Sequence, residues 1–209
     1  SPIQFSEGNH SRLRPGDIKY RDLNGDGVID DYDKMPIGFC DIPEITYGFG
    51  GAIEWKGFDV SIFFQGTARV SLFEEGSTIV PFSSGYKNND GFLRGVMENR
   101  WTVDNPDPNA RYPRTIRPSD ALDNNNTKKS SFWVRNAAFL RLKNAEIGYT
   151  FPKRWMEKMA IQNLRLYVSG VNLLTWAPDV HLFDPDLGSG DGRKYPPTRV
   201  FNVGLNINF

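Results

Sequence analysis

The chain has 209 residues, with 25 Lys and Arg balanced by 25 Asp and Glu. That balance, with no polybasic tail, argues against nucleic acid and against an anionic membrane surface as partners. The single cysteine, Cys40, excludes an intrachain disulfide framework, no basic-then-apolar leader opens the chain, and no run of ~18 apolar residues supplies a membrane-spanning helix.

Residues 1–44 are polar and rich in turn chemistry: Pro15-Gly16-Asp17, Asn24-Gly25-Asp26-Gly27, Pro36 and Pro43. No helix is expected there, and Ile18 and Tyr20 suit a short strand. The run from Asp22 to Asp33 matches a calcium loop at its first, third, fifth, seventh, ninth and twelfth positions. Asp22, Asn24 and Asp26 would offer side-chain oxygens and Val28 its carbonyl. Asp30 would act through water and Asp33 as a bidentate ligand, with Gly27 at the sharp turn. The twelfth residue is Asp where Glu is usual, as in dockerin-like loops, and the flanks do not read as helices. The alternative is an Asx-rich turn that holds no ion.

From Ile45 the pattern alternates. Tyr47, Phe49, Gly51, Ile53 and Trp55 share one face, and Thr46, Gly48, Gly50, Ala52 and Glu54 the other. Lys56-Gly57 reads as a two-residue hairpin turn, after which Phe58, Val60, Ile62 and Phe64 alternate with Asp59, Ser61, Phe63 and Gln65. Residues 66–131 lose this period, with short helical pieces expected around 91–101. A loop of that length is uncommon in a compact domain but ordinary on the outer side of an outer-membrane barrel.

Alternation resumes near Phe139 and slips phase around Lys143-Asn144, as a bulge would make it. Residues 152–160 suit one or two helical turns. Leu164, Leu166 and Val168 continue the period to Val171-Asn172, and 173–197 read as a second long loop. In the last strand Phe201, Val203, Leu205, Ile207 and Phe209 alternate with Asn202, Gly204, Asn206 and Asn208. Antiparallel strands are therefore expected over 45–65, 137–151, 163–172 and 199–209.

Alternating strands also build soluble β-sandwiches. Three features favour a membrane barrel. Long and short connections alternate. Tyr47, Trp55, Tyr149, Trp155 and Trp176 fall near strand ends, as an interfacial girdle requires. The polar partners in the last strand are Asn and Gly, which suit a crowded lumen wall. An enzyme finds little support: His10 and His181 stand alone, Cys40 has no activating partner, and Asp184, Asp186 and Asp191 read as a solvated turn. Trp101, Tyr112, Trp133 and Trp176 suit sugar stacking or, more simply, packing.

Several stretches together resemble the C-terminal end of the SusC/RagA family of TonB-dependent outer-membrane transporters. They are residues 15–20 (PGDIKY) with 22–27 (DLNGDG), 140–144 (LRLKN) with 148–150 (GYT), 163–170 (NLRLYVSG), 172–176 (NLLTW), 195–197 (YPP) and the final Phe209. The resemblance covers most of the chain in the family's order and is weakest over 66–131. It implies an all-β fold: an antiparallel meander of transmembrane strands over 45–209 with long extracellular loops, the C-terminal part of a 22-stranded barrel, preceded by the calcium-type loop region of 1–44. The implied function is uptake of oligosaccharides or peptides across the cell outer membrane, with a SusD-like surface lipoprotein at the mouth and energy from the TonB complex. The family's plug, TonB box and N-terminal extension are expected upstream. Five or six strands cannot close a barrel alone. Phe201, Val203, Leu205, Ile207 and Phe209 resemble the signal read by the barrel assembly machinery, the alternative for Phe209 being simple core filling. The competing function is a soluble calcium-stabilised β module that binds glycans or proteins.

Overall fold

The computed structural model describes residues 4–5, 13–76, 78–80, 93–115, 125–156 and 161–209. Sequence expectations for His10, for much of the long loop (81–92 and 116–124) and for the end of the 152–160 helical segment lie outside these residues. The chain divides into two units. One is Cys40–Ser71 with Asn136–Gly188 and Lys194–Phe209; the other is Ser1–Phe39 with Leu72–Arg135 and Ser189–Arg193.

The first unit is built on an antiparallel meander of five strands: β1 (Ile45–Trp55), β2 (Phe58–Ala68), β3 (Phe139–Thr150), β4 (Asn163–Trp176) and β5 (Val200–Asn208), each paired with the next. Lys56 (φ 49°) and Gly57 (φ 88°) close β1 onto β2. Two successive left-handed residues give the turn whose twist matches paired strands. Thr150 N–H donates to the Gly57 carbonyl at 2.7 Å, and a Cβ on Gly57 would stand 2.7 Å from the Thr150 carbonyl oxygen. A larger residue would therefore break the seam between turn and β3.

The phase slip at Lys143 is a bulge. Phe63 pairs with Asn144 and Phe64 with Leu142, which leaves Lys143 unpaired. The β3–β4 register jumps at the same place, from Leu142–Leu174 to Asn144–Val171. Asn172 lies in that jump with φ 54°, a conformation Asn tolerates better than most residues. Past it, β4 runs on to Trp176, four residues beyond the expected end. Likewise β2 extends to Ala68, past the point where the long loop was expected to start. The helical turn after β3 is present at Lys153–Met156.

In the second unit two expectations change. Ile18 and Tyr20 form no strand; the Ile18 backbone is held by the side chains of Asn125 and Asn126, and the Tyr20 hydroxyl donates to the Asn125 carbonyl. A 3-10 turn forms at Asp31–Asp33, capped by Asp30, where no helix was expected. Val28–Ile29 pairs in parallel with Gln4–Phe5. The expected helical piece near 91–101 is Arg94–Glu98. Its packed interior includes Leu72, Ile79, Val96, Tyr112 and Trp133, so Tyr112 and Trp133 serve packing. A further two-stranded sheet pairs Ser71–Phe73 with Val134–Asn136.

Candidate functional site

Register turns the alternating pattern into a surface. Ile53, Val60, Ile147, Val168 and Val203 form one row across all five strands. The adjacent row is Trp55, Phe58, Tyr149, Leu166 and Leu205. Toward the opposite end, Phe49, Phe64, Leu142 and Leu174 make one row and Tyr47, Gly66, Leu140 and Trp176 another. This face is open: Ile53 is 74% exposed and Val203 75%. Burying such a side chain is worth roughly 1.5–3 kcal/mol, so several left in water would forfeit an amount comparable to a domain's net stability of about 5–15 kcal/mol. The face requires an apolar solvent.

Aromatic residues bracket it. At the hairpin end Phe58, Tyr149, Phe151 and Trp155 meet in sequence in tilted and edge-to-face contacts, with centroid separations of 4.6, 5.1 and 6.0 Å. At the far end Phe49 stacks on Phe64 at 5.2 Å, and Phe64 meets Trp176 at 6.4 Å. Tyr47 and Trp55 mark the two limits on β1, separated by about 27 Å along the strand at ~3.4 Å per residue, or roughly 19–22 Å along the membrane normal at a barrel strand's tilt. An outer-membrane barrel carries an apolar band of about 25 Å between aromatic girdles.

The opposite face is polar, as the Asn and Gly residues of the last strand lead one to expect of a lumen wall; the charged contacts on it carry no expectation from sequence. Arg165 on β4 reaches across the sheet to Asp59 on β2 (Nε to Oδ1, 3.0 Å, with Nη2 on Oδ2) and to Glu146 on β3 (Nη2 to Oε1, 2.6 Å). It lies over Gly148 and against Tyr167, whose ring covers Gly204. Glycine at 148 and 204 makes room for these flat groups, since a Cβ would stand 2.5 Å from Arg165 and 2.2 Å from Tyr167. Only register could reveal this cluster, because its members are 19 to 106 residues apart. Nearer the long-loop end, Arg141 is buried between Thr175 and two carboxylates, Asp184 at 2.5 Å and Asp186 at 2.8 Å. Asp184 and Asp186 are thus ion-pair partners of the strand, where a solvated turn was expected. Burial pushes the Asp186 carboxyl above the ordinary carboxylate range, against the pull of Arg141.

The calcium-type loop keeps its expected turn chemistry. Asp22 accepts from Gly25 N–H (2.6 Å) and Gly27 N–H (2.8 Å), Asn24 from Asp26 N–H (2.9 Å), and Asp26 from Val28 N–H (2.8 Å). Asp33 accepts from Leu23 N–H (2.7 Å) and Asp30 N–H (2.9 Å). Those bonds, the Asp30 amide first and then Leu23, hold its carboxyl below the usual range. Gly25 and Gly27 have φ 80° and 83°, the left-handed region that favours Gly. The donor types suit calcium, which takes hard oxygens. Among the described residues, however, no three Asp, Glu, His or Cys side chains converge as around a metal; the carboxylates close on backbone amides instead.

Upstream of the loop, residues 15–20 are clamped within their unit. Asn126 Oδ1 accepts from Ile18 N–H, Asn125 donates to the Ile18 carbonyl, and Asn126 donates to Asp17, each at 2.9 Å. Burial raises the Tyr20 phenol to about 12, so it stays a donor to the Asn125 carbonyl. Gly16 (φ 91°) sits against Trp101, with no space for a Cβ. Nearby, buried Glu74 pairs with Arg135 at 2.8 Å and with Arg111 at 3.8 Å, an arrangement that serves packing of the unit.

These features define a piece of a transmembrane β-barrel wall. No protein-family model matches the chain. It is 30% identical over 208 residues to TonB-dependent receptor P26 of Formosa agariphila, covering 93% of the chain and 20% of that protein. It is 31% identical to TonB-dependent receptor P3 of the same organism (93% and 19%), and 26% identical to TonB-dependent receptor SusC of Bacteroides thetaiotaomicron (94% and 18%). In fold it matches the RagAB peptide importer in its closed-closed state, with TM-score 0.63 and 22% identity over 87% of the chain and 19% of that one. The chain spans about a fifth of the length of these relatives. Sequence and fold together identify it as a barrel portion of a TonB-dependent receptor of the SusC/RagA type, a class of outer-membrane proteins.

Proposed function

We propose that the chain forms the C-terminal wall of the 22-stranded barrel of an active importer in the outer membrane. The full receptor draws energy from the TonB complex and works with a SusD-like surface lipoprotein. Its cargo is oligosaccharide or peptide. The observation that carries this reading is the two-faced sheet: an apolar band bracketed by aromatics, and behind it a face of charges, Asn and Gly that suits a hydrated lumen. The likeness to SusC and to a peptide importer supports the lipoprotein partner and the cargo class. The alternating residues of β5 together with Phe209 would serve as the recognition surface for the barrel assembly machinery. Calcium, held by Asp22, Asn24, Asp26, Val28, Asp30 and Asp33, would order the loop before the barrel strands by supplying positive charge between its carboxylates.

Uptake by cells carrying the full-length receptor tests the import reading. Labelled oligosaccharide and peptide pools are offered with and without a protonophore. Energy-dependent depletion of one pool, lost on deleting the receptor, is expected. Uptake that survives either treatment overturns it.

A further inference from the structure

The polar face is not uniform along its length. Short turns of outer-membrane barrels face the periplasm and long loops face outward, so the Lys56-Gly57 end is the inner end and Arg141 lies toward the outer one. Arg141 alternates with Leu140 and Leu142, which lie in the apolar rows, and its Nε donates to Thr175 on the neighbouring strand at 3.0 Å. Its side chain therefore belongs to the polar face, stacked 5.0 Å from the Phe139 ring. Yet this side chain is only 2% exposed, on a face meant for water. What covers it is the segment after β4, which returns over the sheet. Asp184 and Asp186 both reach the guanidinium, the intervening Pro185 is buried, and the Asp179 carboxylate accepts from Asn136 N–H at 3.0 Å. The segment is thus tied to Asn136, just before β3, and to Arg141, near the start of β3, from the lumen side.

We infer that residues 179–187 form an inward shelf that narrows the channel mouth, and that Arg141 is the positioning residue that latches it to the wall. The inference rests on the importer reading, since only there is the polar face a channel lining. An Arg with two carboxylate partners is a two-point clamp: its planar fork fixes direction as well as distance. Because the clamp borders a hydrated space, releasing the shelf lets all three charges return to water. The shelf is therefore held by a replaceable contact and not by packing alone, which suits a size-setting element.

The test uses the full-length receptor in intact cells, with Cys40→Ser as background. Ser169→Cys, deeper on the polar face, reports passage; Val180→Cys, on a buried position of the shelf, reports its release. N-ethylmaleimide and maleimide-polyethylene glycols of rising mass are added outside. Arg141→Gln and, independently, Asp184→Asn with Asp186→Asn should each raise the labelling rate of Val180→Cys at least threefold. Each should also admit to Ser169→Cys a polymer at least one size step larger. Heat-modifiable migration checks that each variant is folded, and the Asp pair carries the test should Arg141→Gln fail to fold. Released Val180→Cys with an unchanged size limit overturns the shelf as a constriction. Unchanged Val180→Cys labelling in both variants overturns Arg141 as the latch. If N-ethylmaleimide misses Ser169→Cys while a lipid-phase maleimide reaches it, the importer reading falls first, and the shelf with it.

Discussion

The two faces of the sheet come from alternate residues of the same strands, yet they solve opposite problems. One leaves Ile53, Val60, Ile147, Val168 and Val203 open in a row and makes no polar contact through them. The other gathers Asp59, Glu146 and Arg165 from three strands into one ion-paired cluster. A soluble sandwich would bury the first face under a second sheet and leave the charges dispersed in water. Here the face that needs an apolar solvent is bounded by aromatic clusters at both ends, and the charged face is organised. The difference teaches that the sheet separates two media, and that its backbone ladder is what lets one-residue steps do so.

The comparison breaks most cleanly by exchanging one residue for its neighbour on the other face. Val203 lies closer to the middle of the apolar band than Leu205, which shares a row with Trp55 and Tyr149. A charge near the midplane of a barrel's lipid face costs about 2–4 kcal/mol, and every 1.4 kcal/mol is about tenfold. Val203→Arg in the full-length receptor should therefore reduce folded outer-membrane receptor at least tenfold, with Leu205→Arg milder. Asn202→Arg should stay within about twofold of the unaltered protein on the same scale. Equal losses at 202 and 203, read from heat-modifiable bands in outer-membrane fractions, would mean the faces have been assigned wrongly.

A smaller effect is expected inside the polar face. Arg165→Met leaves Asp59 and Glu146 close together without their shared cation, and removes the plane that covers Gly148. The melting temperature of the purified receptor should drop by a few degrees, while insertion is retained. Adding Asp59→Asn and Glu146→Gln to Arg165→Met should recover most of the loss, because the repulsion goes with the carboxylates. A triple variant no more stable than Arg165→Met would show that the cluster acts through packing alone.

The strands were legible because period two is a local signal, and Lys56-Gly57 and the slip at Lys143 are local too. β4 was cut short for the same reason: Asn172 interrupts the apolar series of Leu164, Leu166 and Val168, so Leu174 and Trp176 looked like loop until register put them opposite Leu142 and Leu140. The charged contacts were out of reach. In the sequence Arg141 is only part of the 140–144 motif and Asp184 and Asp186 read as a turn, since nothing in a linear pattern joins residues some forty positions apart. A lone Arg flanked by Leu on an alternating strand was the available hint. In the second unit, Ile18 and Tyr20 alternated like a strand, but the Asn125 and Asn126 side chains satisfy the Ile18 backbone, and side-chain clamps leave no periodic trace.

The smallest effect concerns the loop at 22–33, which belongs to the other unit and so serves as the control for both faces. Asp33 accepts backbone N–H groups from Asp30, Leu23 and, at 3.4 Å, Asn24, and these hold its carboxyl below the usual range. A depressed folded value means that the proton binds the disordered loop more readily than the ordered one. The contribution of Asp33 is then complete above the ordinary Asp value of ~3.9 and disappears as pH falls through the lower folded value. Protease sensitivity of residues 17–36 in the full-length receptor should accordingly be flat from neutral pH down to about 5 and rise only in stronger acid. Asp33→Asn should raise it already at neutral pH, since an amide oxygen replaces only one of the two acceptors, while insertion stays within about twofold as judged on the Val203→Arg scale. Calcium should protect the same segment at neutral pH where magnesium does not, because the loop offers many oxygens in flexible spacing and magnesium demands a strict octahedron. Protection by neither ion would leave the carboxylates as turn-closing groups only, matching the amide contacts they already make.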